Sequence, residues 1–135
     1  MITEKDITQV YPKNEKWGYS DFYDYDPLLS LFGKILIKVD EGSYQGDSSV
    51  LYKNGEKFGF LQFGWGSCSG CDALQACESV NDVIKLANEL QDSIKWFDSS
   101  SDILYFFNNH DWKGSYCYDS IKPFLKEATT YLEKL

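Results

Sequence analysis

Apolar residues mark three stretches in the first half of the chain. Residues 34–40 are β-branched and partly alternating and predict a strand, and two further strands are predicted at 49–53 and 57–64. Between the last two stands Asn54-Gly55. This pair predicts a type I′ hairpin turn, because both central positions of that turn need positive φ. The three strands are therefore expected to form an antiparallel meander.

Apolar residues recur with helical spacing in the second half of the chain. They predict an amphipathic helix over 80–97, in which Ser79 and Asp82 form a capping-box-like start. A final helix is predicted after Asp119-Ser120, with Pro123 tolerated in its first turn. The inner positions of the two helices are Val83, Ala87, Leu90, Ile94 and Phe97 in the first, and Ile121, Phe124, Leu125, Ala128, Leu132 and Leu135 in the second.

Two shorter segments complete the predicted order of elements. Asp26 as N-cap and Pro27 at the first helical position predict a short helix over 27–32, ended by Gly33. The continuous apolar run 103–107 predicts a fourth strand, whereas the first part of the chain is polar and irregular.

These elements predict an α+β fold. We expect a small antiparallel sheet, formed by the three-stranded meander plus a fourth strand, with helices packed on it. The sequence shows no internal repeat, low-complexity tract or linker, so residues 1–135 are expected to form a single domain.

Composition restricts the classes of partner. Hydrophobic residues make up 43% of the 135 residues and aromatic residues 17%, which excludes intrinsic disorder. The net charge of -8 argues against direct binding to nucleic acid or to an anionic membrane, because both need a basic surface. The chain has no Arg, so it cannot form a guanidinium clamp on phosphate. A basic protein partner fits this charge better.

The chain shows neither a membrane span nor a secretion signal. No stretch approaches the roughly 20 apolar residues of a span. Its first residues lack a basic region followed by an apolar one. We therefore expect a cytoplasmic protein, in which four cysteines are more suited to metal binding or chemistry than to a disulfide framework.

Three of the cysteines, Cys68, Cys71 and Cys77, lie within ten residues between a predicted strand and a predicted helix. The C-x-x-C step lets two thiolates bind one ion, and zinc takes four ligands in tetrahedral geometry. His110 or Cys117 would supply the fourth ligand. The spacing therefore favours a structural Zn²⁺ site.

Three alternatives stay open for the same cysteines. Trp65 and the pair Cys68 and Cys71 resemble a redox dithiol before a helix. The segment 66–70, Gly-Ser-Cys-Ser-Gly, matches a nucleophile elbow with cysteine at its centre, for which His110 is a candidate base. The simplest alternative is that the cysteines are small buried thiols without chemistry.

Aromatic and acidic residues alternate over 19–26. This pattern indicates an interaction surface in which rigid rings accompany carboxylates, and its candidate contact residues are Asp21, Tyr23, Asp24 and Asp26. The simpler alternative, which we favour, is a segment that buries its rings and leaves its carboxylates in water.

Four segments of the chain carry a resemblance. They are Tyr-Gln-Gly-Asp at 44–47, Phe-Gly at 63–64, Gly-Ser-Cys-Ser-Gly-Cys-Asp-Ala-Leu-Gln at 66–75, and His-Asp-Trp at 110–112. They resemble a group of small phage- and prophage-encoded proteins. Some of these are similar to anti-CRISPR proteins, including zinc-containing ones, that inhibit the RNA-guided nuclease of type II systems. The likeness covers about 40–112.

The resemblance implies a function for the chain and for its cysteines. Cys68, Cys71 and Cys77 would hold Zn²⁺, with His110 favoured over Cys117 as the fourth ligand because Cys117 lies outside the matched stretch. The protein would be a phage-encoded inhibitor in the host cytoplasm. It would bind a host CRISPR-associated nuclease stoichiometrically and block nucleic-acid loading or activation, without catalysis. The alternative is a small thiol or redox enzyme that uses Cys68 or Cys71.

Overall fold

A four-stranded antiparallel sheet lies at the centre of the fold in the computed structural model. The model describes residues 1–11, 13–14, 18–19, 24–42, 45–66, 72–114 and 118–135. The elements in chain order are α1 (Glu4–Val10), β1 (Lys13–Asn14), β2 (Gly18–Tyr19), α2 (Asp26–Leu29), a 3₁₀ turn (Ser30–Phe32), β3 (Lys34–Gly42), β4 (Gln45–Asn54), β5 (Lys57–Gly66), α3 (Val80–Ser93), β6 (Lys95–Phe97), α4 (Ser100–Asn109), a second 3₁₀ turn (Trp112–Gly114) and α5 (Tyr118–Glu133).

The sheet has the order β3-β4-β5-β6, and every neighbouring pair is antiparallel. The predicted meander is therefore confirmed, with strands longer than the apolar pattern indicated. The separate pair β1-β2 lies outside this sheet. The described chain is α+β, as predicted.

The hairpin between β4 and β5 has a different turn from the predicted one. Asn54 pairs with Lys57, so Gly55 and Glu56 are the two central residues. Gly55 has a φ of 63°, and no non-glycine residue in the described part of the chain has a positive φ. Positive φ at the first central position alone is typical of a type II′ turn, so the type I′ prediction was wrong.

A β-bulge sets which side chains of β3 face each side of the sheet. Ile35 pairs with Tyr52 and Ile37 with Leu51, so Leu36 is an extra residue without its own partner in β4. The bulge shifts the alternation by one residue. Leu36 and Ile37 therefore both pack against the apolar cluster that contains Leu51.

Helices cover both faces of the sheet. On the first face, Val50, Tyr52 and Leu61 pack against α1, α2 and α3. On the second face, Leu51 and Phe60 pack against α4 and α5. The helical residues buried on the first face include Ile7, Leu28, Leu29, Val83 and Ala87, and those on the second include Ile103, Phe107, Phe124 and Ala128.

The segment 103–107 lies in helix α4, so its prediction as the fourth strand was wrong. The Ser99 hydroxyl accepts the Asp102 N–H at 3.1 Å and starts the helix. The observed fourth strand is Lys95–Phe97, because α3 ends at Ser93 rather than at residue 97. Short apolar runs do not separate a strand from a buried helical turn.

The helix boundaries also differ from the predicted ones. Asp26 is the first residue of α2 rather than its N-cap, and Pro123 is an interior residue of α5, which begins at Tyr118. Ser79 does cap α3, since its hydroxyl accepts the Asp82 N–H. A complete capping box, formed by Thr3 and Asp6, starts α1 in the polar first part of the chain.

Candidate functional site around the cysteine segment

The described residues include only part of the predicted zinc site. Cys68, Cys71 and Cys117 lie outside them, whereas Cys77 and His110 are described. Among the described residues, no group of three or more His, Cys, Asp or Glu side chains could hold a metal ion. The zinc site therefore stays a prediction from the spacing of the cysteines.

Cys77 lies half-buried against the apolar cluster of the first face, just before α3. Its thiol donates a hydrogen bond to the Ala73 carbonyl oxygen at 3.4 Å. Burial raises the pKa of the Cys77 thiol, and the negative charges of Asp82 and Asp72 raise it further. These surroundings favour a protonated thiol that contributes to packing over a reactive thiolate.

His110 lies on the other side of the sheet. It follows α4, and its backbone N–H donates to the Phe106 carbonyl oxygen. Its side chain is exposed. The centroid of the imidazole ring lies 5.0 Å from that of the Phe106 ring and 4.4 Å from that of the Trp112 ring. Phe106 and Trp112 both pack on the second-face cluster. The structure therefore does not bring Cys77 and His110 together, and a zinc site containing both is not supported.

Asp72 directly follows the cysteine segment, residues 67–71, which contains Cys68 and Cys71. It is a buried charged residue with an exposed fraction of 4%. Its Oδ1 accepts hydrogen bonds from the Leu74 N–H at 2.9 Å, the Gln75 N–H at 3.0 Å and the Tyr25 hydroxyl at 3.0 Å. Its Oδ2 accepts the Gly66 N–H at 2.9 Å. Four donors thus compensate for the removal of this carboxylate from water.

A hydrogen bond of Asp72 joins the two residues that flank 67–71 in the sequence. Gly66 is the last residue of β5 and Asp72 is the first described residue after the segment. The Gln75 side-chain amide also donates to the Gly66 carbonyl oxygen at 2.9 Å. Gly66 is therefore hydrogen-bonded through both its N–H and its carbonyl oxygen to residues that follow 67–71 in the sequence.

Tyr25 connects the aromatic–acidic segment 19–26 to the hydrogen bonds around Asp72. Its exposed fraction is 8%, and its ring lies 4.7 Å from the ring of Phe63. Its hydroxyl donates to Asp72 and accepts the Leu74 N–H at 3.3 Å. Burial raises the pKa of the Tyr25 hydroxyl, so it stays a hydrogen-bond donor at neutral pH. This ring belongs to the core, as the simpler interpretation of the segment predicted.

Asp24 and Asp26 have local partners, whereas the other two predicted contact residues of this segment, Asp21 and Tyr23, lie outside the described part. The Asp24 carboxylate accepts the Asp26 N–H at 2.9 Å. The Asp26 carboxylate accepts from Lys38 Nζ at 2.6 Å and forms an ion pair with it. Asp26 is therefore already paired within the chain. Asp24 is exposed, and it has no ion-pair partner among the described residues.

Asp72, the organising residue of the site, is not among the site residues predicted from the sequence. Two of its donors, Leu74 and Gln75, follow it by two and three residues, which is the local pattern of an Asx turn. That signal was available in the sequence. The other donors, Tyr25 and Gly66, reach it only through the tertiary fold.

Comparisons with known proteins found no match for the chain. No protein family model matches it, and no curated protein or solved structure is significantly similar to it. Among the described helices, none has the length and apolar character needed to cross a membrane.

Proposed function

We propose that the protein acts by stoichiometric binding to a basic protein partner. The observation that supports this proposal is the distribution of its acidic charge. Asp72 is buried, whereas most of the acidic side chains in the described part of the chain are exposed. The chain has 21 acidic residues and 13 basic ones. Its lysines are therefore too few to neutralise the negative charge of this surface. Exposed charge of one sign speeds association with a surface of the opposite sign.

The sequence resemblance narrows the partner class. We propose a phage-encoded inhibitor whose partner is the RNA-guided nuclease of a host type II CRISPR system. Such nucleases hold guide and target in a positively charged channel. An acidic protein that occupies part of that channel would block nucleic-acid loading or the domain movement that precedes cleavage. The protein would then act sterically in the bacterial cytoplasm, without turnover.

Titration of nuclease activity tests the proposal. Purified type II nuclease at fixed concentration is incubated with increasing amounts of the protein, and cleavage of target DNA is measured. We expect inhibition to rise with the molar ratio, to level off near equivalence and not to increase with longer incubation. Progressive inactivation by sub-stoichiometric protein would overturn the binding proposal and favour a thiol enzyme.

The Cys68→Ser variant separates the two mechanisms further. A thiol enzyme that uses Cys68 would lose its activity in this variant while its melting temperature and metal content stay normal. A zinc-stabilised binder would lose metal, thermal stability and inhibition together. Exposed Ser101→Ala, outside the cysteine segment, is a matched control that should leave all three readouts unchanged.

A further inference from the structure

An aromatic groove of about 540 Å³ lies along β6 and α4. We call it the α4 groove. The residues that line it include Phe97, Asp98, Asp102, Tyr105 and Phe106. None of them belongs to the cysteine segment or to the aromatic–acidic segment 19–26.

The α4 groove exposes an unusual amount of aromatic surface. Tyr105 has an exposed fraction of 70%, and the other large hydrophobic residues exposed in the described part are Met1 and Leu135 at the ends of the chain. Beside it the rings of Phe97 and Phe106 lie 5.1 Å apart. Exposed aromatic side chains that accompany a concave surface are typical of protein–protein contacts.

The rim of the groove carries negative charge. Asp98 and Asp102 are both exposed, and Asp98 pairs with Lys57 only at 3.7 Å, with its own side chain 85% exposed. An exposed ion pair of this kind contributes little to stability, so a cation of a partner can replace Lys57 at a small cost in free energy. Carboxylates beside aromatic faces are suited to a cationic ligand.

The chain's own Lys95 already contacts this aromatic surface. Lys95 Nζ lies 4.7 Å from the centroid of the Phe106 ring. The groove therefore combines one ring that already contacts an ammonium group with an exposed ring, Tyr105, and two carboxylates. Among protein side chains, arginine uses all of these features, because its planar guanidinium stacks on rings and pairs bidentately with a carboxylate.

We infer that the α4 groove binds an arginine side chain of the basic protein partner. This inference rests on the proposed function, and it names the contact surface and the anchor residue of the partner. The chain contains no arginine, so the ligand cannot come from a second copy of the protein. Tyr105 would stack on the guanidinium, and Asp98 and Asp102 would accept its hydrogen bonds.

Peptide titration tests the inference without the nuclease. The ¹⁵N-labelled protein is titrated with acetyl-Gly-Arg-Gly-amide, with the lysine analogue and with the citrulline analogue, which keeps the shape of arginine but lacks its charge. We expect saturable shifts of the backbone amides of 97–110, about five-fold tighter binding of arginine than of lysine, and no saturable binding of citrulline.

Variants locate the peptide. Tyr105→Ala and the double variant Asp98→Asn/Asp102→Asn should each weaken arginine binding about five- to ten-fold. The matched control Glu127→Gln/Glu133→Gln removes the same charge from exposed positions of α5 and should leave the affinity unchanged. Equal effects of the groove and control variants, or shifts outside the groove, would overturn the inference.

Nuclease binding by the same variants distinguishes this inference from the proposed function. If the wild-type protein binds the nuclease and the groove variants bind it equally well, the groove inference fails and the proposed function stands. If the arginine peptide binds the groove and the wild-type protein binds no nuclease, the nuclease proposal fails and the groove inference stands.

Discussion

The hydroxyl of Tyr25 donates a hydrogen bond to Asp72 Oδ1 at 3.0 Å, across 47 positions of the sequence. Both side chains are buried. The contact joins the residue before α2 to the segment that follows β5, so one carboxylate connects Tyr25 with Gly66 at the end of β5. Loss of this carboxylate is therefore expected to affect the site and the stability of the core together.

Asp72→Asn should destabilise the protein by about 1–3 kcal/mol. An asparagine can keep an oxygen toward Leu74, Gln75 and Tyr25, but its amide nitrogen then faces the Gly66 N–H. Two donors that face each other leave a buried N–H without an acceptor. Urea unfolding followed by circular dichroism measures the change.

A double-mutant cycle of Tyr25→Phe with Asp72→Ala tests the contact between these two side chains. Each substitution removes one partner of the hydrogen bond, so the coupling between them should be about 0.5–3 kcal/mol. Additive effects of the two substitutions would contradict the assignment. Asp92→Asn, at an exposed position of α3, is the matched control and should change stability by less than about 0.5 kcal/mol.

Gly59→Ala should destabilise the protein by about 1–3 kcal/mol for a steric reason. A Cβ atom at Gly59 would lie 2.7 Å from the Trp96 ring and 3.0 Å from Ile94, so the packing of β6 on β5 would have to shift. At Gly64, in the same strand, the nearest atom would be Asp47 Oδ1 at 3.6 Å, an ordinary contact. Gly64→Ala is therefore the control, and equal melting temperatures for the two variants would disprove the clash.

Alkaline pH should reduce the stability through buried tyrosines. Burial raises the pKa of the hydroxyls of Tyr11, Tyr25 and Tyr52 above their ordinary value of 10.0. Below pH 10 both folded and unfolded states keep these protons, and the contribution to stability is complete. Above pH 10 the unfolded chain loses them first, so stability falls by about 1.4 kcal/mol per pH unit for each tyrosine until the folded pKa is reached.

Tyr52→Phe isolates one of these groups. Its hydroxyl donates to the Leu29 carbonyl oxygen at 2.8 Å, so the variant should be less stable by about 1 kcal/mol at pH 7. Above pH 10 the stability of the wild type relative to the variant should fall by about 1.4 kcal/mol per pH unit, so the variant should become the more stable protein near pH 11. Parallel stability curves from pH 7 to 11 would contradict the ionisation argument.

Metal analysis tests the predicted zinc site. We expect about one zinc per chain in protein purified without added metal, and a sharp drop in melting temperature under a chelator, because structural zinc contributes of order 10 kcal/mol of apparent binding energy. Zinc binds the thiolate form of cysteine, so binding releases thiol protons and the affinity for zinc should fall as pH falls. Metal-free protein with an unchanged melt under chelator would refute the site.

Local pattern was sufficient to predict most of the sheet and the longest helices. The apolar residues within 49–53 and 57–64 follow from the burial of β4 and β5 on both faces, and the spacing of Val83, Ala87 and Leu90 follows from the buried face of α3. These features depend on one element and the face it buries. They are therefore visible in the sequence without knowledge of the fold.

Features that depend on tertiary contacts could not be predicted in this way. The run 103–107 is a helix because Ser99 caps it and because Ile103 and Phe107 both reach the second-face cluster, which periodicity over five residues does not show. The same holds for the buried position of Asp72, whose donor Tyr25 is distant in sequence. The placement of His110 away from Cys77 likewise follows from the two faces of the sheet.

Direct binding to a purified type II nuclease tests the central claim most directly. With the protein immobilised and the nuclease supplied at micromolar concentration, we predict a saturable one-to-one complex. Raising salt from about 50 to 500 mM shortens the Debye length from roughly 14 to 4 Å, so association should slow more than dissociation speeds up. The absence of any complex at micromolar concentration, at low salt and with folded protein, would contradict the account.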